Sequence, residues 1–469
     1  MCGAGVGGLA AGARLAAAGH AVTVLEQGTA PGGKAGRFER DGFRFDTGPS
    51  LLTMPWVLRD LLAATGARVE DELELMRVEP VTRYRFADGS SVELSADLPS
   101  ALEALEAWSP GSGTDWARFL RTCASMWRAS VPFLTGPPPW PPRRPAPGAP
   151  APDPRGLLRA RPWRTVRSLA RAHARDPRLR MILERFATYA GADPRRAPAA
   201  LAVAGYVEHA FGAWHVRSGL YAIVEALVRR LRAHRGDLWL DARVTAIDRA
   251  GSRVGGVVLA DGGRVAADVV VWNGDALSLD WLLGRAREPV AQRSLSGLAL
   301  MLGLRAATRG RVHHEIRFPA RYDAEFDDVF AGRAPCEPTI YLSTSCVTDP
   351  GEAPADGENL FTLVNAPAAA PDAAIDELEA RVIERLGVRD RIVVRARRGP
   401  AELARETGAV GGAIYGAAPH GRLAPLRRPG PDVRGVRGLF RVGGTVHPGG
   451  GLPLVMLGAK TVADLVGSP

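Results

Sequence analysis

Three glycines spaced for close backbone contact open the chain: Gly3, Gly5 and Gly8, a G-x-G-x-x-G run that also contains Val6 and Gly7. In a strand–loop–helix unit the first glycine permits a tight turn and the second lets the backbone approach a pyrophosphate. The third lets helix and strand pack closely. The helix leaving such a loop faces phosphates with unpaired N–H groups and the positive end of its dipole. Glu26, followed by Gln27, ends an apolar stretch 23 residues after Gly3. A carboxylate at that distance accepts hydrogen bonds from a ribose diol. Gly32-Gly33 then allows another close approach, and Lys34 beside it supplies a cation to balance phosphate charge.

The other end of the chain repeats the theme. Leu439 to Val442 is apolar, and it enters a loop with five glycines between Gly443 and Gly451. A helix is expected from about Pro453, so Gly444, Thr445, Leu452 and Pro453 are candidate ligand contacts. Two such loops at opposite ends of one chain suit an extended cofactor such as FAD better than NAD. His447 sits in the second loop, where anchoring the loop by a hydrogen bond is favoured over acid–base work. His313 and His314 read as exposed or structural, since neighbours in sequence do not share a face. Trp214 and His215 fit either a substrate tunnel or core packing. The sequence offers no Ser/His/Asp set, no metal-ligand spacing and no dense carboxylate pair. Chemistry is therefore expected from the cofactor, with the protein supplying orientation and exclusion of water.

These residues need particular elements around them. Residues 7–18 read as a helix, 21–25 as a buried strand, and 43–46 as an alternating strand. A helix is expected over 55–64 and a hairpin over 84–94, turning at Asp88-Gly89. Residues 98–130 are helical in pattern; strands dominate from 238 to 272, and a further helix covers 373–386. The expected fold class is α/β, with α+β character in an inserted domain. A Rossmann-like FAD-binding domain is assembled from residues 1–95, 236–290 and 431–469. Residues 96–235 form a helical substrate- and membrane-binding insertion, and 291–430 the sheet and helices of the substrate domain. Ten of the 18 residues of 137–154 are proline, which marks a semi-rigid loop.

The strand that should precede Gly3 is missing: only Met1 and Cys2 stand before it. In this fold that strand is central to the parallel sheet. Losing about five buried apolar residues forfeits roughly 1.5–3 kcal/mol each, which rivals a domain's margin of about 5–15 kcal/mol. The expectation is a native start several residues upstream, with an apolar run before Cys2.

The formal charge is +10, and only Lys34 and Lys460 are lysines. From Trp140 to Arg185 twelve arginines face three acids, so this segment carries nearly all of the excess. Such a patch suits an anionic surface. Residues 156–170 mix Leu, Val and Trp with arginine, like an interfacial element meeting anionic headgroups. The membrane contact is assigned to basic segment 155–185. Nucleic acid is disfavoured because no recognition motif accompanies the charge. No apolar run reaches membrane-spanning length and no signal peptide is evident. Four scattered cysteines without a C-x-x-C fit a reducing cytoplasm rather than a zinc site or disulfide framework.

Taken together, the motifs resemble those of the bacterial carotenoid desaturases, the phytoene dehydrogenase group of the amine-oxidase-like flavoproteins. Gly3–Gly8, Glu26, Gly32-Gly33-Lys34 and Phe45-Asp46-Thr47-Gly48-Pro49 fit that group's N-terminal pattern. The segments Gly212–Gly219 and Asp241–Thr245 resemble later parts of it, and Thr445–Pro453 is the most specific signature. The resemblance runs over most of the chain. It implies non-covalent FAD, with the isoalloxazine near the C-terminal loop and Val244 on the adenine side. It implies a long uncharged polyene as substrate, and hydride transfer from an allylic carbon with loss of a proton from the adjacent carbon. The activity implied is desaturation of phytoene or of a later acyclic carotenoid, such as 3,4-desaturation. The rival readings are a flavin-dependent carotenoid isomerase and a prenyl-lipid carrier without redox work. A membrane-dissolved substrate places the expected protein in the cytoplasm, peripheral on the inner face of the cell membrane.

Overall fold

A computed structural model describes residues 1–136, 159–285 and 292–469. The glycine-rich start turns directly into a helix, Val6–Ala17, whose small residues let it bury ten positions against its neighbours. It packs on the C-terminal helix Leu452–Val466 and on Tyr221–Ala233, which brings the two ends of the chain together. The strand below it is short. Thr23–Leu25 pairs in parallel with Asp237–Trp239, and Val270–Trp272 pairs in parallel with Leu439–Arg441. Met1–Gly3 lies between these two pairs. Leu25 N donates to Met1 O at 2.8 Å and Gly3 N to Leu25 O at 2.7 Å on one side. Cys2 N donates to Val271 O and Asn273 N to Cys2 O, both at 2.8 Å, on the other. The central position of the parallel sheet is thus held by the residues that lead into the glycine loop. An antiparallel three-stranded sheet, Val244–Ala250, Arg253–Leu259 and Arg264–Ala266, flanks this layer.

The second layer is a seven-stranded sheet. Its order is Ile392–Arg398, Ser296–Arg305, Gly357–Ala366, Ile340–Ser343, His314–Arg317, Thr82–Arg85 and Ser91–Leu94. One face packs under the Asp372–Leu386 helix: Leu298, Leu300, Leu302 and Leu304 meet Ile375, Leu378, Val382 and Ile383. Ala299, Met301 and Phe361 on the other face meet Phe43 and Phe45. The 82–94 hairpin forms as its alternation and Asp88-Gly89 turn require, but it joins this sheet through a parallel pairing with His314–Arg317. That corrects its assignment to the first cofactor segment, 1–95. Hairpin periodicity specifies a pair of strands and says nothing of the third strand they seek.

The helical insertion supplies the remaining wall. Leu98–Trp108, Ser112–Thr135, Val166–His173, Pro177–Arg185 and Val203–Phe211 bury Trp116, Phe119, Met126, Leu169 and Ile182 in one core. The proline-rich stretch 137–154 and residues 155–158 of the basic segment lie outside the described residues. No helix among the described residues is long and apolar enough to cross a membrane.

Segments far apart in sequence are tied by single carboxylates. Asp46 accepts from the backbone N–H groups of Leu220 at 2.7 Å and Tyr221 at 3.0 Å, which start the Tyr221–Ala233 helix. A Cβ on Gly219 would stand 3.1 Å from the same carboxylate, in a backbone with φ +94°. This explains why Phe45–Pro49 and Gly212–Gly219 occur together: one supplies the cap and the other the helix start.

Candidate functional site

One cavity of about 990 Å³ runs through the molecule. At one end it is walled by Gly3, Gly5, Val6, Gly7, Glu26, Gln27, Gly33, Lys34, Val244, Gly444, Thr445, Leu452 and Pro453. Of the cofactor contacts expected from the sequence only Gly8 stands behind the wall. Its position is structural: a Cβ there would lie 2.1 Å from Gly3 O and 2.9 Å from Asn273 Nδ2. Gly7 is equally constrained, with Asn273 Oδ1 at 2.7 Å and Gly443 Cα at 3.3 Å from a built Cβ. The two glycine loops therefore touch each other through Asn273.

Glu26 is buried at the end of its strand. Its Oε2 accepts from Ala4 N at 2.7 Å and its Oε1 from Gly28 N at 2.9 Å. These two bonds aim the carboxylate into the cavity and leave lone pairs for a diol. Two helices, Val6–Ala17 and Leu452–Val466, begin at this end at Gly5 and Gly451, and neither has a side-chain cap. Their first N–H groups and dipoles converge on a glycine-walled space, which fits an anionic dinucleotide.

The electropositive side chains act as braces. Lys34 donates to Ile414 O at 2.5 Å and Ala413 O at 3.4 Å, and burial pulls its ammonium down to about 8. It fastens the Gly32–Gly36 loop to residues 413–414 from its place in the cavity wall. Arg398 donates to Gly33 O at 3.0 Å, and Arg428 to Gly444 O at 2.8 Å. Thr445 Oγ1 accepts from Ala276 N at 3.0 Å, so its hydroxyl holds the loop to the Ala276–Leu282 helix. Gln27 reaches Glu406 O at 3.0 Å.

The histidines resolve differently. His447 is buried, its Nε2 lies 3.2 Å from Gly136 O, and Phe133 stacks edge-on at 4.6 Å. Burial holds its imidazole down at about 4. It anchors the loop, as its sequence position indicated. His313 and His314 are both buried, with ring centroids 4.3 Å apart, so of the two expected readings, exposed or structural, exposure is excluded. His314 opens the His314–Arg317 strand and lines the cavity, while His313 precedes the strand. Trp214 and His215 are not among the cavity residues and serve packing. His215 Nε2 meets Glu352 at 3.3 Å, and Asp349 accepts from Ser218 N at 2.7 Å, which pins Gly212–Gly219 to the sheet domain.

Sequence reasoning missed several wall residues. Asn273 follows the Val270–Trp272 strand as Asn-Gly-Asp, a turn signal that marks a strand end at a ligand crevice in α/β sheets. Arg398 and Arg428 carry no local signal. Nor do Arg185, Tyr189, Glu208 and Tyr322, which also line the cavity.

A parallel layer with two uncapped helix starts, glycine cradles from both chain ends and a buried acid for a diol defines a flavoprotein of the two-domain oxidase type. The family model for flavin containing amine oxidoreductases matches residues 6–386. An oxidoreductase structure from Methanosarcina mazei superposes with a TM-score of 0.66 at 17% identity, covering 99% of each chain. The chain is 34% identical to a hydroxyneurosporene desaturase of Rhodobacter capsulatus, over 97% of this chain and 94% of that one. It is 32% identical to a 4,4'-diapolycopene oxygenase of Methylomonas sp, over 99% and 97%. The protein belongs to the flavin-containing amine oxidoreductases and, within them, to the carotenoid desaturase group. Its cofactor is FAD.

Proposed function

We propose that this chain introduces double bonds into an acyclic carotenoid, phytoene or a later and already more conjugated polyene, using FAD. The observation that carries this is the continuity of the cavity: one wall runs from the glycine cradle to Ala204, Val207, Leu295, Ile316, Phe361 and Leu363. A slender apolar chain laid along it reaches the cofactor end without leaving protein. FAD, when bound, supplies the two-electron oxidant that turns a CH–CH pair into C=C. The protein's own part is to align the chain and exclude water from it. Expression in cells that accumulate phytoene, and separately in cells that accumulate later acyclic carotenoids, tests the reading. The expected result is a pigment with more conjugated double bonds from at least one host. Unchanged pigments in all hosts, or isomerised pigments without added double bonds, refute it.

We further propose that the protein works as a peripheral protein on the inner, cytoplasmic face of the cell membrane, through the basic segment. Five of its arginines have partners within the chain: Arg167 with Glu184 and Asp323, Arg175 with Asp115 while staying exposed, Arg178 with Asp88 and Asp176, Arg180 with backbone carbonyls, and Arg185 with Glu208. The support that remains is the exposed Trp163 with Arg171 nearby in sequence at the surface. Each arginine near an anionic surface contributes about 1 kcal/mol. Binding to vesicles rich in anionic lipid is expected to exceed binding to neutral ones at least tenfold, and to weaken with added salt. Equal binding to both vesicle types rules the reading out.

A further inference from the structure

Where the Gly212–Gly219 segment meets the sheet domain, a buried cluster is held by bonds too long for the groups that make them. Asp349 caps the single turn Pro350–Glu352, so its carboxylate and that of Glu352 stand three residues apart. In a 3₁₀ turn positions i and i+3 eclipse, which brings both carboxylates to one side. The third member, His215, comes from the strand Trp214–Val216. One atom able to ligate a metal from each of the three lies within 4.8 Å of the other two. Among the described residues no other three His, Cys, Asp or Glu side chains are so placed. All three are sealed from solvent, at 1% exposed for His215, 4% for Asp349 and 2% for Glu352.

The hydrogen bonds within the cluster do not satisfy it. Glu352 Oε1 meets His215 Nε2 at 3.3 Å, and Oε2 accepts from Asn359 Nδ2 at 3.5 Å. Charge-assisted bonds to a carboxylate run near about 2.7–2.9 Å. Asp349 has one short bond, Ser218 N to Oδ2 at 2.7 Å. Its Oδ1 has only Gly351 N at 3.4 Å and Arg217 Nη1 at 3.5 Å. Arg217 gives its short bonds, 2.5 and 2.7 Å, to Glu74 instead. His215 Nδ1 has no hydrogen-bond partner among the described residues. Nor has Nε2 of the buried His313, whose ring centroid stands 5.0 Å from that of His215. Buried carboxylates are paired with a cation or coordinate a metal. Here two of them and an imidazole face one another with neither ring nitrogen in a strong bond.

We infer that His215, Asp349 and Glu352 bind a divalent transition-metal ion, of the zinc or manganese kind, as a structural staple. A dication cancels the charge of both carboxylates. It gives each of the three groups the short bond it lacks, about 2.0–2.2 Å to nitrogen or oxygen. One imidazole with two carboxylates is a borderline donor set. Calcium takes roughly six to eight oxygens and magnesium keeps several waters, so neither suits a sealed set with one nitrogen. None of the three ligands lines the cavity, so the ion holds structure and takes no part in the redox chemistry. It fastens the strand that leads into the Tyr221–Ala233 helix to the sheet domain. His215 is thereby a ligand as well as a packing residue.

The test uses the FAD-loaded full-length protein. Elemental analysis after gel filtration without chelator is expected to find close to one zinc or manganese per chain. Anomalous diffraction at that metal's edge should place it among the three side chains. Protein stripped with a chelator and then given zinc or manganese chloride, at about a hundredfold over Kd, should gain about 5 °C in thermal midpoint. Calcium or magnesium chloride should leave the midpoint unmoved. Glu352→Gln keeps the shape of the side chain and removes its charge. It is expected to fold with full flavin content and to bind either transition metal at least about tenfold more weakly. If that variant does not fold, the wild-type measurements decide. Protein that carries neither ion as purified and gains nothing from either when added overturns the inference, and the cluster is then a hydrogen-bonded clamp. So does an anomalous signal located elsewhere, an equal gain from calcium or magnesium, or an unchanged affinity in Glu352→Gln.

Discussion

Gly8→Ala yields a protein that no longer keeps its flavin. The added Cβ would lie 2.1 Å from Gly3 O, and neither side can give way cheaply. Gly3 is fixed by its N–H bond to Leu25 O at 2.7 Å, and Asn273, on the other flank, by its bond to Cys2 O at 2.8 Å. The helix must move outward, and its N–H groups then leave the position that meets the pyrophosphate. Overpacking of this kind costs about 1–3 kcal/mol, and the upper part of that range is roughly a hundredfold in FAD affinity. Flavin absorbance per chain after desalting measures it. Gly12→Ala in the same helix is the control, since its Cβ would find Val24 Cγ2 at 3.3 Å and no backbone. Full flavin content in Gly8→Ala would show that the loop does not hold the cofactor.

The second large effect is on acid stability. Burial keeps His447 neutral in the folded protein, with its imidazole at about 4. In the unfolded chain it titrates near 6.5. Between these values the unfolded state binds the extra proton, so stability falls as pH drops from about 6.5 to about 4. The shift corresponds to roughly 3 kcal/mol from this one side chain. His314, held down to about 3, acts in the same direction. Asp46 and Glu325, raised to about 7 by burial, act in the opposite direction. A comparison of wild type with His447→Gln isolates the single group. Denaturant unfolding at pH 7 and pH 4 should show the wild type losing about 3 kcal/mol more than the variant. Parallel losses would mean that His447 is protonated in the fold or titrates normally.

The parts of this molecule that were readable in its sequence are those written in local backbone rules. A glycine that must sit against a carbonyl, a carboxylate at a strand end and a Pro453 inside a helix start each leave a fixed spacing. The cofactor cradle emerged from them, from Gly3 to Pro453. Wall residues that act through long-range contacts left no such trace. The tie from Lys34 to residues 413–414 was not readable, because nothing local shows that those residues fold back onto it. The 82–94 hairpin looked like part of its sequence neighbour because strand pairing with residues 314–317 crosses more than two hundred residues. The Arg185–Glu208 pair was hidden inside a run of arginines whose total charge drew attention to the surface. Five of those arginines turned out to be paired with other residues of the chain, Arg175 among them while still exposed.

The apolar character of the long cavity bears on how substrate affinity can arise at all. A polyene dissolved in lipid is already surrounded by hydrocarbon, so moving it into a hydrocarbon-lined cavity gains little hydrophobic free energy. Tightness must then come from shape and from the few polar atoms the wall presents. For a lipid-borne polyene the governing quantity becomes its mole fraction in the bilayer, and diluting it with inert lipid should slow turnover at constant bulk concentration.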